Sequence, residues 1–116
     1  MTADDAAALT PPATAPDADA VVRQRSPGLV IEVKGDLDAA TTPRVLAVIT
    51  SEMSEQTTTV TLDCAGVRFC DSAGLGGLIR LTHDVPADGR VLLRAPSRPL
   101  VRLLEITGSR SLFAFS

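Results

Sequence analysis

An α/β fold is the expectation for this chain: one mixed sheet of about four to five strands, mostly parallel with an antiparallel edge hairpin, and three or more helices packed on it. Three observations carry that expectation. From Val21 onward, β-prone runs alternate with segments of helical period, the arrangement that builds parallel sheets through helical crossovers. The first two runs are separated only by a short turn, so they pair as a hairpin. A length of 116 residues suffices for one hydrophobic core but not for two catalytic lobes.

The elements follow in order. Val21 to Arg25 and Leu29 to Lys34 are the hairpin strands, joined by the turn residues Ser26-Pro27-Gly28,. Gly35-Asp36-Leu37-Asp38 then reads as a loop. Thr42 supplies an N-cap, with Pro43 in the first turn behind it. Val45, Leu46, Ile49 and Met53 recur at helical spacing, which predicts a first helix ending near Glu55. Thr59 to Asp63 alternates Val60 and Leu62 against polar residues and predicts a strand. Asp71 or Ser72 caps a second helix whose inner stripe is Leu75, Leu78, Ile79 and Thr82, with Pro86 and Gly89 stopping it. Arg90 to Arg94 is a short apolar strand. Ser97 caps a third helix, Leu100, Val101, Leu103 and Leu104 form its buried face, and Gly108 stands where a C-terminal cap glycine belongs,.

Composition narrows the function classes. Apart from Met1 and Leu9, residues 1–20 are Ala, Pro, Thr and Asp with no aromatic or β-branched aliphatic residue, too little apolar surface to offset ordering entropy, and a disordered tail is expected there. That segment also lacks the basic start and apolar run of a signal peptide, and no later stretch approaches the ~18 apolar residues of a membrane span. A cytoplasmic protein with no membrane partner is the expectation. Asp4, Asp5, Asp17 and Asp19 concentrate negative charge in the tail, leaving eleven basic against ten acidic side chains from Val21 to Ser116. No basic stripe appears, and the only aromatics are three Phe, so nucleic acid is a poor candidate partner. Cys64 and Cys70 stand six apart, outside the spacings used for zinc or redox work, and read as reduced, buried small hydrophobes. No metal or cofactor is implied.

One stretch carries chemistry. Val67-Arg68-Phe69-Cys70 leads into Asp71-Ser72-Ala73-Gly74-Leu75-Gly76-Gly77, placing a serine hydroxyl where a strand gives way to a helix. A helix start bears unpaired N–H groups and the positive end of the dipole, so a serine there can cap the helix and, once phosphorylated, hold the phosphate without unfolding its surroundings.

Taken together, Gly35-Asp36-Leu37-Asp38, then Val67-x-Phe69-x-Asp71-Ser72-x-Gly74-Leu75, then Leu93-x-x-Pro96-x-x-x-Leu100-Val101-x-Leu103 with Thr107-Gly108 and Leu112-Phe113 resemble the STAS domain of bacterial anti-sigma factor antagonists. The resemblance runs from about Val21 to Phe113 and makes residues 21–116 one STAS domain. It implies a partner switch. The unphosphorylated domain binds an anti-sigma factor that is also a serine kinase, which frees the sigma factor; phosphorylation of the serine after the motif aspartate ends that binding, and a PP2C-type serine phosphatase restores it. Carried over, the phosphoacceptor is Ser72 and the partner-binding residues are Asp38, Asp71, Ser72, Ala73, Gly74 and Leu75. A monomer or weak dimer is expected.

Asp38 matches the second acid of the family's first block; it either contacts the partner kinase or makes a local turn hydrogen bond. Asp71 either caps the helix or contributes to partner contact. Two departures from the family pattern stand out. Ala73 follows the phosphoacceptor where relatives often carry a second hydroxyl, leaving Ser72 as the one acceptor there. Thr82-His83-Asp84-Val85-Pro86-Ala87-Asp88 replaces a longer basic helix end, so the partner-facing edge is less positive.

Catalysis is disfavoured. Asp-Ser-Ala-Gly is not a nucleophile elbow, and His83, the single histidine, falls about three helical turns and ~16 Å beyond Ser72, too far to act as its base. Gly74, Gly76 and Gly77 lack the lysine of a phosphate-binding loop. The alternative that keeps the fold is a scaffold without phosphorylation, or a nucleotide or small-ligand binding module, in which those glycines serve close packing.

Overall fold

The computed structural model describes residues 18–116, and the expected tail falls, for residues 1–17, outside the described residues. Five strands form one sheet in the order β1-β2-β3-β4-β5: Ala18–Gln24, Leu29–Leu37, Thr59–Cys70, Arg90–Arg94 and Ala114–Phe115. β1 and β2 are antiparallel, and every later pairing is parallel. The crossovers carry helices α1 (Thr42–Ser51), α2 (Ser72–Asp84) and α3 (Arg98–Thr107), with a 3-10 turn at Arg110–Leu112 before β5. The α/β class, mixed sheet and edge hairpin match the expectation.

Strand alternation builds the core. Leu29 and Ile31 of β2 pair with Val60 and Leu62 of β3, which pair in turn with Val91 and Leu93 of β4. Side chains in register share a sheet face, and these six are all buried. Onto them α1 lays Val45 and Ile49, α2 lays Leu75, Leu78 and Leu81, and α3 lays Leu100 and Leu104.

Several boundaries differ from the sequence reading, each for a definable reason. β1 begins at Ala18, not Val21: Ala18 and Ala20 are small, but they lie on the core side and are buried. Gly35 to Leu37 is strand rather than loop, because β3 does not stop at Asp63 but runs on to Cys70 and supplies a partner for it. Two register slips, between Glu32 and Lys34 and between Gly35 and Asp36, interrupt the alternation that would have announced both extensions. Helix α1 takes Thr41, not Thr42, as its N-cap and ends at Ser51, short of Glu55. Met53 still packs on the core, from the turn that follows. In α2 the fully buried residue of the third turn is Leu81; Ile79 and Thr82 are only partly buried. Likewise Val101 and Leu103 of α3 are half-buried flanks of the Leu100/Leu104 stripe. Ser97 occupies the N-cap position of α3 without making a side-chain cap bond, whereas Gly108 closes the helix in the left-handed region as expected, at φ 69°.

Candidate functional site

β2 and β3 deliver the site by ending together. Leu37 pairs with Cys70, and the Asp71 N–H donates to the Leu37 carbonyl at 3.1 Å. The next residues out of each strand, Asp38 and Asp71, therefore leave the sheet side by side, with Ser72 immediately beyond. This is the carboxyl edge of the parallel strands, where open α/β sheets place their functional loops.

Each carboxylate has a local task. Asp71 is the N-cap of α2: its Oδ1 accepts from the Ala73 N–H at 2.9 Å and the Gly74 N–H at 3.0 Å. Asp38 orders the turn into α1. Its Oδ1 accepts from the N–H groups of Ala40 at 2.9 Å and Thr41 at 3.0 Å, and the Thr41 hydroxyl donates to the Asp36 carbonyl at 2.6 Å. The turn-bond reading of Asp38 and the capping reading of Asp71 are thus both realised in the fold. Asp36, one strand position before Leu37, pairs with Arg68 at 3.3 Å.

Because Asp71 caps the helix, Ser72 does not. It is the first residue of α2, it is exposed, and its hydroxyl makes no hydrogen bond to another described residue. Ala73 beside it is also exposed, while Gly74 and Leu75 turn inward and are buried. Of the six residues singled out from the sequence, Ser72 and Ala73 form an open face, Asp38 and Asp71 border it half-buried, and Gly74 and Leu75 hold the helix down.

Close packing fixes that helix start. A Cβ on Gly74 would lie 2.5 Å from the Leu37 carbonyl oxygen and 3.0 Å from the Cys70 sulfur. At Gly77 a Cβ would run into the Thr42 methyl group and Leu46 of α1. By contrast, one on Gly76 would meet nothing. The chain on either side of Ser72 lines a different depression. Ala73, Gly76, Gly77 and Arg80 face Thr42, Pro43 and Leu46 across a groove of about 460 Å³ between α1 and α2. Phe69 and Cys70 line a second, smaller one against α3. Neither groove was visible to sequence reasoning, since each joins residues of separate elements; the exposed apolar Phe69 beside the motif was the one available signal.

The thiols are inert. Burial first, then Asp63 and Cys70, pushes Cys64 up to about 12; burial and the neighbouring Asp71 push Cys70 up to about 11. Both are free and buried, as expected, and too little ionised near neutrality to act as nucleophiles. His83 sits exposed in the last turn of α2. Among the described residues no cluster of His, Cys, Asp or Glu is arranged to hold a metal ion, and no helix is long and apolar enough to cross a membrane.

The chain is thus an α/β domain that offers a serine on a capped helix start at the rim of a mixed sheet. The chain belongs to the STAS domain family, whose model matches residues 18–116. Several solved structures share its fold. An anti-sigma factor antagonist from Mycobacterium paratuberculosis superposes with TM-score 0.77 at 22% identity, covering 87% of each chain. The anti-sigma factor antagonist SpoIIAA in its unphosphorylated form gives 0.70 at 21% identity, over 84% of this chain and 88% of that one. The phosphorylated form of SpoIIAA, a Bacillus cell fate determinant, gives 0.64 at 21% identity, over 84% and 91%. No curated protein matches the chain significantly.

Proposed function

We propose that this domain is an anti-sigma factor antagonist acting as a cytoplasmic partner switch. In its unphosphorylated form it docks an anti-sigma factor that is also a serine kinase and so frees the sigma factor. Phosphorylation of Ser72 ends the docking, and a PP2C-type serine phosphatase reverses it. Ser72 and Ala73 form the contact face with Asp38 and Asp71 at its border, and Gly74 and Leu75 position it.

The observation that carries this reading is the free hydroxyl. Asp71 already satisfies the first-turn N–H groups of Ala73 and Gly74, so the Ser72 oxygen has no structural duty and is exposed. A phosphate there adds about −1.5 to −2 charge, against a helix-dipole gain of only ~0.3–1 kcal/mol. The fold accommodates it. An interface built around the bare hydroxyl does not, because desolvation and like-charge contact cost several kcal/mol. The half-buried carboxylates of Asp38 and Asp71 at the border add to the negative charge that a partner would meet.

The test is incubation of the full chain with an anti-sigma factor kinase and ATP, read by mass spectrometry. A single phosphate on Ser72, absent from Ser72→Ala, is the expected result. The α1/α2 groove favours one second reading, a small-ligand module. Copurification of a small molecule in that groove, with no phosphate transfer to Ser72, would select it.

A further inference from the structure

Helix α3 carries more apolar surface than the core uses. Leu100 and Leu104 are fully buried, and one such stripe is what a helix packed on a sheet needs. Pro99, Leu103 and Ile106 form a second stripe at helical spacing, and Ile106 is 73% exposed. Facing it is Phe69 of β3, 49% exposed beside the buried Cys70. Together with Arg102 these residues line an open depression of about 200 Å³. Arg102, the one cation lining the depression, forms no ion pair with a described residue, and neither does Arg98 one helical turn before it.

We propose that this depression is a second docking point for the protein partner of the Ser72 face, and that it receives a large apolar side chain with an acidic neighbour. The partner's identity rests on the function proposed above; the chemistry of the groove does not. Charge complementarity selects the occupant: the unpaired Arg102 guanidinium at an apolar floor matches an apolar side chain with an acidic neighbour. A second copy of this chain is disfavoured by the same argument, since a two-fold contact through this patch sets like charges against each other. A bilayer is disfavoured because α3 is held to the core by Leu100 and Leu104 and the depression is lined by a single cation, Arg102. Continuity supports the assignment, because Phe69 and Cys70 run directly into Asp71 and Ser72. A partner segment seated here would span the switch residue and contribute affinity without touching it.

The experiment titrates the 15N-labelled full chain with a synthetic helix-forming peptide bearing one leucine between glutamates, following backbone amide signals. In parallel arms lysines replace the glutamates, a peptide of residues 1–17 is added, or phosphatidylglycerol vesicles are added. The expected result is saturable shifts at Phe69, Arg102 and Ile106 with the glutamate peptide, about tenfold weaker binding of the lysine peptide, and loss of the shifts in Ile106→Ser. Equal affinity for both peptides, shifts confined to other surfaces, or tighter binding of the chain's own segment or of vesicles would overturn it. The readout needs neither kinase nor phosphate. Failure of Ser72 phosphorylation therefore leaves the groove standing, and failure of the groove leaves the switch standing.

Discussion

The carbonyl of Leu37 and the α-carbon of Gly74 are pressed together so closely that a single added methyl group would sit 2.5 Å from the oxygen. That oxygen is not free to retreat, because it accepts the Asp71 N–H at 3.1 Å. The end of β2 thus sets the position of the first turn of α2, and with it the place where Ser72 meets solvent.

Gly74→Ala is therefore expected to destabilise the domain by about 1–3 kcal/mol, since backbone must shift to admit the methyl group. Gly76→Ala, two residues on, meets open space and gains helix propensity of up to ~1 kcal/mol. Thermal melts check the pair: Tm falls for the first and rises for the second, by roughly 4–8 °C per kcal/mol in a domain of this size.

Capping predicts a second contrast. Asp71→Ala removes the acceptor for two N–H groups and should cost ~0.5–2 kcal/mol in urea unfolding, while Asp71→Asn, which keeps an oxygen there, loses much less. Asp38→Ala should behave alike, because the Asp38 carboxylate holds the Ala40 and Thr41 N–H groups. Unchanged stability in both alanine variants would assign these carboxylates to the partner alone.

Alkaline pH probes the buried thiols. Cys64 ionises at about 12 in the folded chain against an ordinary value of 9.0, so the native state keeps a proton that the unfolded state releases in that window. Its stabilising contribution is complete below about pH 9 and is lost as pH climbs toward 12, at up to ~1.4 kcal/mol per pH unit. Cys70, raised to about 11, adds a smaller loss because water reaches it more easily. Urea melts between pH 8 and 10.5 should show a shallower decline for Cys64→Val than for wild type; parallel declines would contradict the burial account.

Much of this was legible in the chain. Alternation at Val60 and Leu62, the Pro43 and Gly108 punctuation, and the Asp71-Ser72 step at a strand-to-helix boundary led to the right class and to the order of elements from β1 to α3. What escaped did so for physical reasons. Gly35 and Asp36 are poor strand formers held extended by a neighbouring strand, a tertiary effect. The continuation of β3 through Ala65 and Gly66 was masked by register slips. Ala114–Phe115 is too short to register as a strand without its partner β4. Leu81 rather than Ile79 fills the third turn because the sheet beneath, not helical periodicity alone, decides which side chain is covered. The grooves flanking Ser72 depend on pairings between α1 and α2 and between β3 and α3, which no local pattern records.

The most direct measurement is the affinity of an anti-sigma factor kinase for the unphosphorylated and the Ser72-phosphorylated chain, by calorimetry, with a thermal melt of each form. The account predicts binding weakened at least about a hundredfold on phosphorylation, equivalent to roughly 3 kcal/mol, with Tm nearly unchanged. Equal affinity of the two forms, or weakened binding accompanied by loss of the fold, would contradict it.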